Sequence, residues 1–264
     1  MHFIDTHSHL YHQYYRDEFE ETVQRALSAN VRQIVLPCVT SANIMDLFMA
    51  HDQFPENLYP LVGLHPTDVK PQNFRQELSL LKSFLEDSRI IGIGECGMDL
   101  YWDKQNAEEQ KEAFKMQLEW ARDFQLPLSI HIRDAYAETF EILNLFRNNG
   151  IKGVMHCFSG GIQEAIWAVK FGFYLGIGGV VTFKNSKLQN IVKEIGLDHL
   201  VLETDSPFLA PAPFRGKTNE SAYIPYIAEK LAALFETGIE NIMEVTSENA
   251  LRVFDKLQYN FNKV

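Results

Sequence analysis

Long apolar runs, an excess of basic charge and paired cysteines are all missing from this 264-residue chain, and each absence excludes something. No stretch approaches the roughly 18 apolar residues of a membrane-spanning helix. The opening Met1-His2-Phe3 has neither the basic nor the apolar segment of a secretion signal. A cytoplasmic protein that does not engage a membrane is therefore expected. The three cysteines, Cys38, Cys96 and Cys157, have no CxxC or zinc-finger spacing. They lie in apolar runs and read as reduced, buried thiols rather than a disulfide frame. Lys and Arg number 24 against 35 Asp and Glu, and the formal net charge of −11 argues against a general nucleic-acid-coating surface. Contact with nucleic acid would have to be local, through a basic pocket or bound ions. No GxGxxG follows the first apolar run, which removes the usual dinucleotide signal. Gly216-Lys217-Thr218 looks like the end of a Walker A loop, but Pro211 stands where that loop needs its first glycine. No linker or low-complexity tract divides the chain, and 206–220 reads as a long loop. One hydrolase domain over 1–264 is expected.

What the chain does have is material for a large core, being 46% hydrophobic and 12% aromatic. Short apolar or β-branched runs recur at 3–8, 33–39, 59–64, 90–95, 127–132, 153–157, 173–178 and 200–205. Stretches of helical period separate them, near 17–30, 41–53, 73–87, 107–125, 136–149, 161–171 and 186–195, with two more near 220–236 and 239–257. In 107–125 the inner stripe is Phe114, Leu118 and Ala121. Strands alternating with helices imply parallel βα units. Eight such units predict an α/β fold, a single (β/α)8 TIM barrel, with an open doubly wound sheet as the competitor.

Most of these strands end in a residue that can bind metal. The first runs into His7 and His9, the third into His65, the fourth into Glu95, the fifth into His131, the sixth into His156 and the eighth into Asp205. In a barrel those ends converge on one cup, where such enzymes keep their active sites. Any one of them alone reads as a hydrogen-bonded side chain or a helix cap. Gathered on one rim without a cation, the carboxylates would repel and the imidazoles would lack acceptors. Divalent ions make the same cluster favourable. The mixed nitrogen and oxygen set suits zinc, manganese or iron, whereas magnesium prefers more oxygen. Two ions about 3.5–4 Å apart would share Glu95, with His7, His9 and Asp205 on one and His131 and His156 on the other. Asp205 would take the proton of the attacking water. His65 would bind substrate or orient that water, with an ordinary turn histidine as the competing reading. Arg133, two residues after His131, is a candidate phosphate contact, with a salt bridge to Asp134 as the competing reading; Arg215 and Lys217 are two more, since loops after the seventh and eighth strands often build phosphate sites. Each of the three also reads as a solvated surface charge. Asp5 is expected to support the barrel rather than ligate.

Several of these residues sit in longer motifs: Ile4-Asp5-Thr6-His7-Ser8-His9-Leu10, Gly63-Leu64-His65-Pro66, Gly94-Glu95-Cys96-Gly97-Met98-Asp99, His131-Ile132-Arg133-Asp134-Ala135, His156-Cys157-Phe158-Ser159-Gly160 and Glu203-Thr204-Asp205-Ser206-Pro207. With Gly178–Lys184 and Pro213–Glu220 they resemble, from end to end, the TatD-related metal-dependent deoxyribonucleases of the amidohydrolase-like barrel superfamily. The resemblance implies a (β/α)8 hydrolase with one to three divalent ions and, in several members, nuclease activity toward DNA. It carries metal ligation onto His7, His9, Glu95, His131, His156 and Asp205. Cys96 and Met98, where aliphatic residues are common, and Ser221, where proline is usual, depart from the pattern without touching a ligand.

The expected activity is a 3′-to-5′ exonuclease-type deoxyribonuclease acting on single-stranded DNA or 3′ ends, because a cup holds a strand end more readily than the middle of a duplex. The alternatives are a hydrolase of small phosphoesters, esters or amides on the same site, and a non-enzymatic binding module. No obligatory protein partner is evident.

Overall fold

The computed structural model describes residues 1–11 and 15–257; the end of the expected domain, 258–264, lies outside that description. Among the described residues eight strands alternate with helices. They are β1 (Phe3–Asp5), β2 (Val31–Leu36), β3 (Leu58–Val62), β4 (Gly92–Asp99), β5 (Leu128–Arg133), β6 (Gly153–Met155), β7 (Phe173–Ile177) and β8 (Leu200–Leu202). The helices are α1 (Phe19–Ser28), α2 (Ile44–Gln53), α3 (Phe74–Lys82), α4 (Ala107–Phe124), α5 (Tyr136–Asn144), α6 (Ile162–Phe171), α7 (Leu188–Ile195), α8 (Ile224–Phe235) and α9 (Ile239–Val253). Neighbouring strands pair in parallel, in sequence order from β1 to β8. This is the expected TIM barrel.

β1 and β8 each pair with one neighbour but not with each other through a ladder, so closure falls to the residues just past their ends. Thr6 N donates to Leu202 O, Asp205 N to His7 O and His9 N to Ser206 O, and Ser8 bridges Ser206. The run Thr6–His9 is thus an irregular continuation of β1, stitched to the turn that carries Asp205. Asp5 anchors the same seam: its carboxylate accepts from Thr204 N (3.0 Å), Thr204 Oγ1 (2.6 Å) and His7 N (3.2 Å). Burial raises this carboxyl to about 7 even against those hydrogen bonds.

Helix α4 shows how local chemistry sets the outer ring. Glu108 and Glu109 occupy its first turn, where the helix dipole favours negative charge, and Phe114, Leu118 and Ala121 are buried on one face. Gln125 ends it in the left-handed conformation. The main apolar core lies between strands and helices. A separate cluster joins Ile4, Val35, Leu61, Val154 and Val201 to Val253, Phe254 and Leu257 at the chain's end. Strand alternation puts those five residues inside the barrel, so the C-terminal helix plugs the end opposite the cup.

Several strand ends differ from expectation. The fourth runs on to Asp99, leaving Glu95 in mid-strand. The sixth and eighth stop at Met155 and Leu202, two and three residues early. Beyond them Cys157 (φ 46°) and Asp205 (φ 55°) adopt left-handed backbone, which a continuing strand does not permit.

Candidate metal centre

The strand-end residues do converge. Glu95, 3% exposed, stands at the centre with its two carboxylate oxygens facing different imidazoles. Oε2 lies 3.3 Å from His7 Nε2 and 3.5 Å from His9 Nε2. Oε1 lies 2.8 Å from His131 Nδ1 and 3.4 Å from both His65 Nε2 and His156 Nε2. Asp205 Oδ1 completes the group, 3.6 Å from His9 Nε2, 3.9 Å from His7 Nε2 and 4.0 Å from His156 Nε2. Three overlapping sets have donor atoms close enough for one ion: His7, His9 and Glu95; His7, His156 and Asp205; His65, Glu95 and His131. The sequence placed His156 with His131. The structure lays its ring flat on His7, with centroids 3.4 Å apart.

Each imidazole also has its other nitrogen beside a protein group on the side away from the centre. His7 Nδ1 is 3.0 Å from Ser129 Oγ, and His9 Nδ1 is 3.1 Å from the Tyr11 hydroxyl, which donates to Pro37 O. His65 Nδ1 accepts from Thr67 N. His131 Nε2 lies 2.9 Å from Asp99 Oδ2. His156 Nδ1 is 3.2 Å from Glu203 Oε1 without hydrogen-bond alignment, so that contact is electrostatic. Metal-bound histidines characteristically have the second nitrogen held in this way, which fixes ring orientation and tautomer. The donor chemistry therefore fits divalent ions. Five imidazoles converge on two carboxylates, and Glu203 Oε2 is buried without a hydrogen-bond partner among the described residues.

Electrostatics follow from the crowding. Burial disfavours charge on Glu95, yet His65, His156 and His7 hold its carboxyl well below the usual range. Burial, then the neighbouring His156 charge, push His7 down to about 4. His156 goes the other way: burial opposes its charge, but Glu203 and Glu95 raise it to about 10. Burial likewise opposes charge on His131, and Asp99 and Glu95 raise it.

The family described as TatD related DNase matches residues 4–255. An uncharacterised metal-dependent hydrolase of Bacillus subtilis (strain 168), YabD, is 40% identical over 95% of this chain and 98% of its own length. The chain belongs to the TatD family. YjjV, a TatD homologue from Escherichia coli K12, superposes with a TM-score of 0.89 at 28% identity, covering 96% of this chain and 98% of that one. By class this TatD-family chain is a metal-dependent hydrolase.

Asp99 is the residue the sequence reading passed over. Its signal was present: Glu95, Gly97 and Asp99 alternate on one face of β4. Register puts Gly97 opposite His131, and a Cβ there would sit 2.1 Å from His131 O, so glycine is required for β5 to approach. Gly176 has a similar duty, since a Cβ would meet Glu203 Oε2 at 2.1 Å.

A cup of about 380 Å³ opens over the centre, lined by His9, His65, Glu95, His131, His156 and Asp205 among others. Asp205 also borders a second cavity of about 490 Å³, with Phe158, Gly178, Gly179, Ser186 and Leu188 in its walls. Of the expected substrate contacts, only His65 is among the described residues that line the cup. Arg215 lies 4.5 Å over the Phe183 ring and Lys217 5.8 Å over Phe214, both on the exposed loop after β8. Arg133 sits at the rim, its guanidinium 4.0 Å from the centre of the Tyr101 ring.

Proposed function

We propose that this chain is a divalent-metal-dependent deoxyribonuclease that shortens single-stranded DNA from its 3′ end. The observation that carries the reading is the central carboxylate, with one oxygen of Glu95 facing His7 and His9 and the other facing His131, His65 and His156. Glu95, His7, His9, His131, His156 and Asp205 would hold the divalent ions, with Glu95 central among them. Bound there, zinc, manganese, iron or magnesium would supply Lewis acidity toward phosphoryl oxygens and acidify the attacking water. Asp205 stands where both cavities meet. Although burial works against its charge, His9 and His156 hold it below the usual carboxylate range, so it is ionised at neutral pH and ready to accept that proton. His65 is kept neutral by burial and oriented by Thr67, and can hydrogen-bond a phosphoryl oxygen from the β3 side. The cup and its neighbouring cavity have room for a terminal nucleotide but not for a duplex, which supports action at ends.

A second reading, hydrolysis of small phosphoesters, esters or amides, draws support from Arg215 and Lys217 lying outside the cup lining, so that the cup itself holds little cationic grip. Elemental analysis paired with chelation and add-back on 3′-labelled linear single strands separates the two. We expect stepwise loss from the 3′ end, abolished by chelation and restored by metal, with a circular single strand intact. Equal attack on the circle would sink the end-directed mode. Hydrolysis of small esters with none of DNA, in metal-replete protein, would select the second reading. Full activity in Glu95→Gln would remove the metal site from the chemistry altogether.

A further inference from the structure

Two aromatic rings stand in solvent at the mouth of the barrel, where folding alone would hide them. Trp102 is 67% exposed and Tyr101 51%. They meet edge to face, with centroids 4.8 Å apart, and Arg133 lays its guanidinium against both, 4.0 Å from the Tyr101 centroid and 5.3 Å from that of Trp102. Among the described residues no carboxylate, Asp134 included, comes within ion-pair distance of Arg133, whose guanidinium lies on the two rings.

The loop is held firmly. Asp99 Oδ1 accepts from Tyr101 N (3.0 Å) and Trp102 N (2.8 Å), while Oδ2 of the same carboxylate reaches His131 in the metal centre. The buried amide of Gln110 on α4 clamps the loop from below, accepting from Asp99 N and donating to Asp99 O and Asp103 O. Arg133 shares a face of β5 with His131, two residues further along, or about 7 Å. An ordered, exposed pair of rings with a stacked guanidinium thus sits one step outward from the proposed reaction centre.

We infer that Tyr101, Trp102 and Arg133 form a stacking platform for an unpaired base of the DNA strand whose end enters the cup. The inference rests on the nuclease reading above. Bases in a duplex hide their faces, so the platform selects single strands. Aromatic stacking tolerates any base and works without a basic surface, which suits a chain of net charge −11. With one cation at the platform, binding should depend only weakly on salt, unlike binding built on many phosphate contacts.

The test uses holoenzyme and a fluorescein-labelled eight-base single strand with phosphorothioate linkages throughout, followed by anisotropy. Trp102→Ala, a change at an exposed position, should weaken binding by about five- to a hundredfold. Trp102→Phe should recover most of it, and metal content should not change. On linear single-stranded DNA the loss should appear in KM. Trp102→Ala binding as tightly as wild type, or wild type failing to bind at all, would overturn the platform. Hydrolysis of an aryl phosphodiester by the wild type separates this from the reading beneath it. Phosphodiesterase activity with no effect of Trp102→Ala rejects the platform alone. Platform-dependent binding without any phosphodiester hydrolysis rejects the nuclease alone.

Discussion

At the scale of single residues, the centre is organised by what stands behind each imidazole. Asp99 is the clearest case, because it decides which nitrogen of His131 faces Glu95. Asp99→Asn keeps the shape and removes the charge. Outer partners of this kind typically contribute 10- to 100-fold in metal affinity. We expect a loss of roughly that size in competition with a chromogenic chelator, with the circular dichroism spectrum unchanged. His156 makes a prediction about protons. With its pKa raised to about 10, it carries a proton at pH 7.5 in metal-free protein, and ligation needs it neutral. Binding of Zn²⁺ at pH 7.5 should therefore release at least one proton, that of His156, to which His131, also raised, adds its share, and affinity should climb with pH toward 10. His7, pushed to about 4, is already neutral and adds nothing. Calorimetry in two buffers of different ionisation enthalpy reads the number directly; a heat independent of buffer would contradict it.

At the scale of elements, the turn after β8 couples closure of the barrel to chemistry. Asn219, fully buried, donates through one amide nitrogen to Thr204 O (2.8 Å) and Phe208 O (2.7 Å), gripping the turn on both sides of Asp205. Asn219→Ala removes both bonds and deprives the buried Thr204 carbonyl of this donor, at a cost of about 1–3 kcal/mol. Urea unfolding should show that loss, and catalysis should fall as well, because Asp205 loses its support. Stability lost with activity intact would mean that the turn holds its shape by other means. This element also marks where sequence reading stops short. The apolar run Leu200-Val201-Leu202 announced a strand, but nothing local announced that Asp205 would turn into left-handed backbone and face His9.

At the scale of the molecule, six candidate ligands come from five strands or the segments just past them, so bound ions would cross-link the barrel. Ligands that bind only the native state stabilise it by about 4 kcal/mol at a thousandfold excess over Kd. For a chain of this size that is a rise in Tm of roughly 8–16 °C. Scanning calorimetry of chelated and metal-restored protein should show such a difference. A Tm that ignores both treatments would argue that the cluster holds no ion. The net charge of −11 belongs to the same picture: with few cations in the cup lining, the proposed affinity for a DNA strand would rest on bound ions and on the rim.

The sequence alone was enough for the alternation of eight strands with helices, and for the polar residue at most strand ends. Both are carried by local periodicity, because a strand facing a packed layer and a helix facing a sheet each impose their own spacing. It also pointed to the five histidines and two carboxylates that converge on one rim, since a histidine or carboxylate ending an apolar run is visible without a partner. Only the tertiary structure decided who faces whom. The register of β4 against β5 put Asp99 behind His131, and the turn after β6 laid His156 on His7. The paths of exposed loops placed Arg215 and Lys217 away from the cup and Arg133 against Tyr101. These are relations between segments distant in sequence, set by strand register and loop path, and no local pattern encodes them.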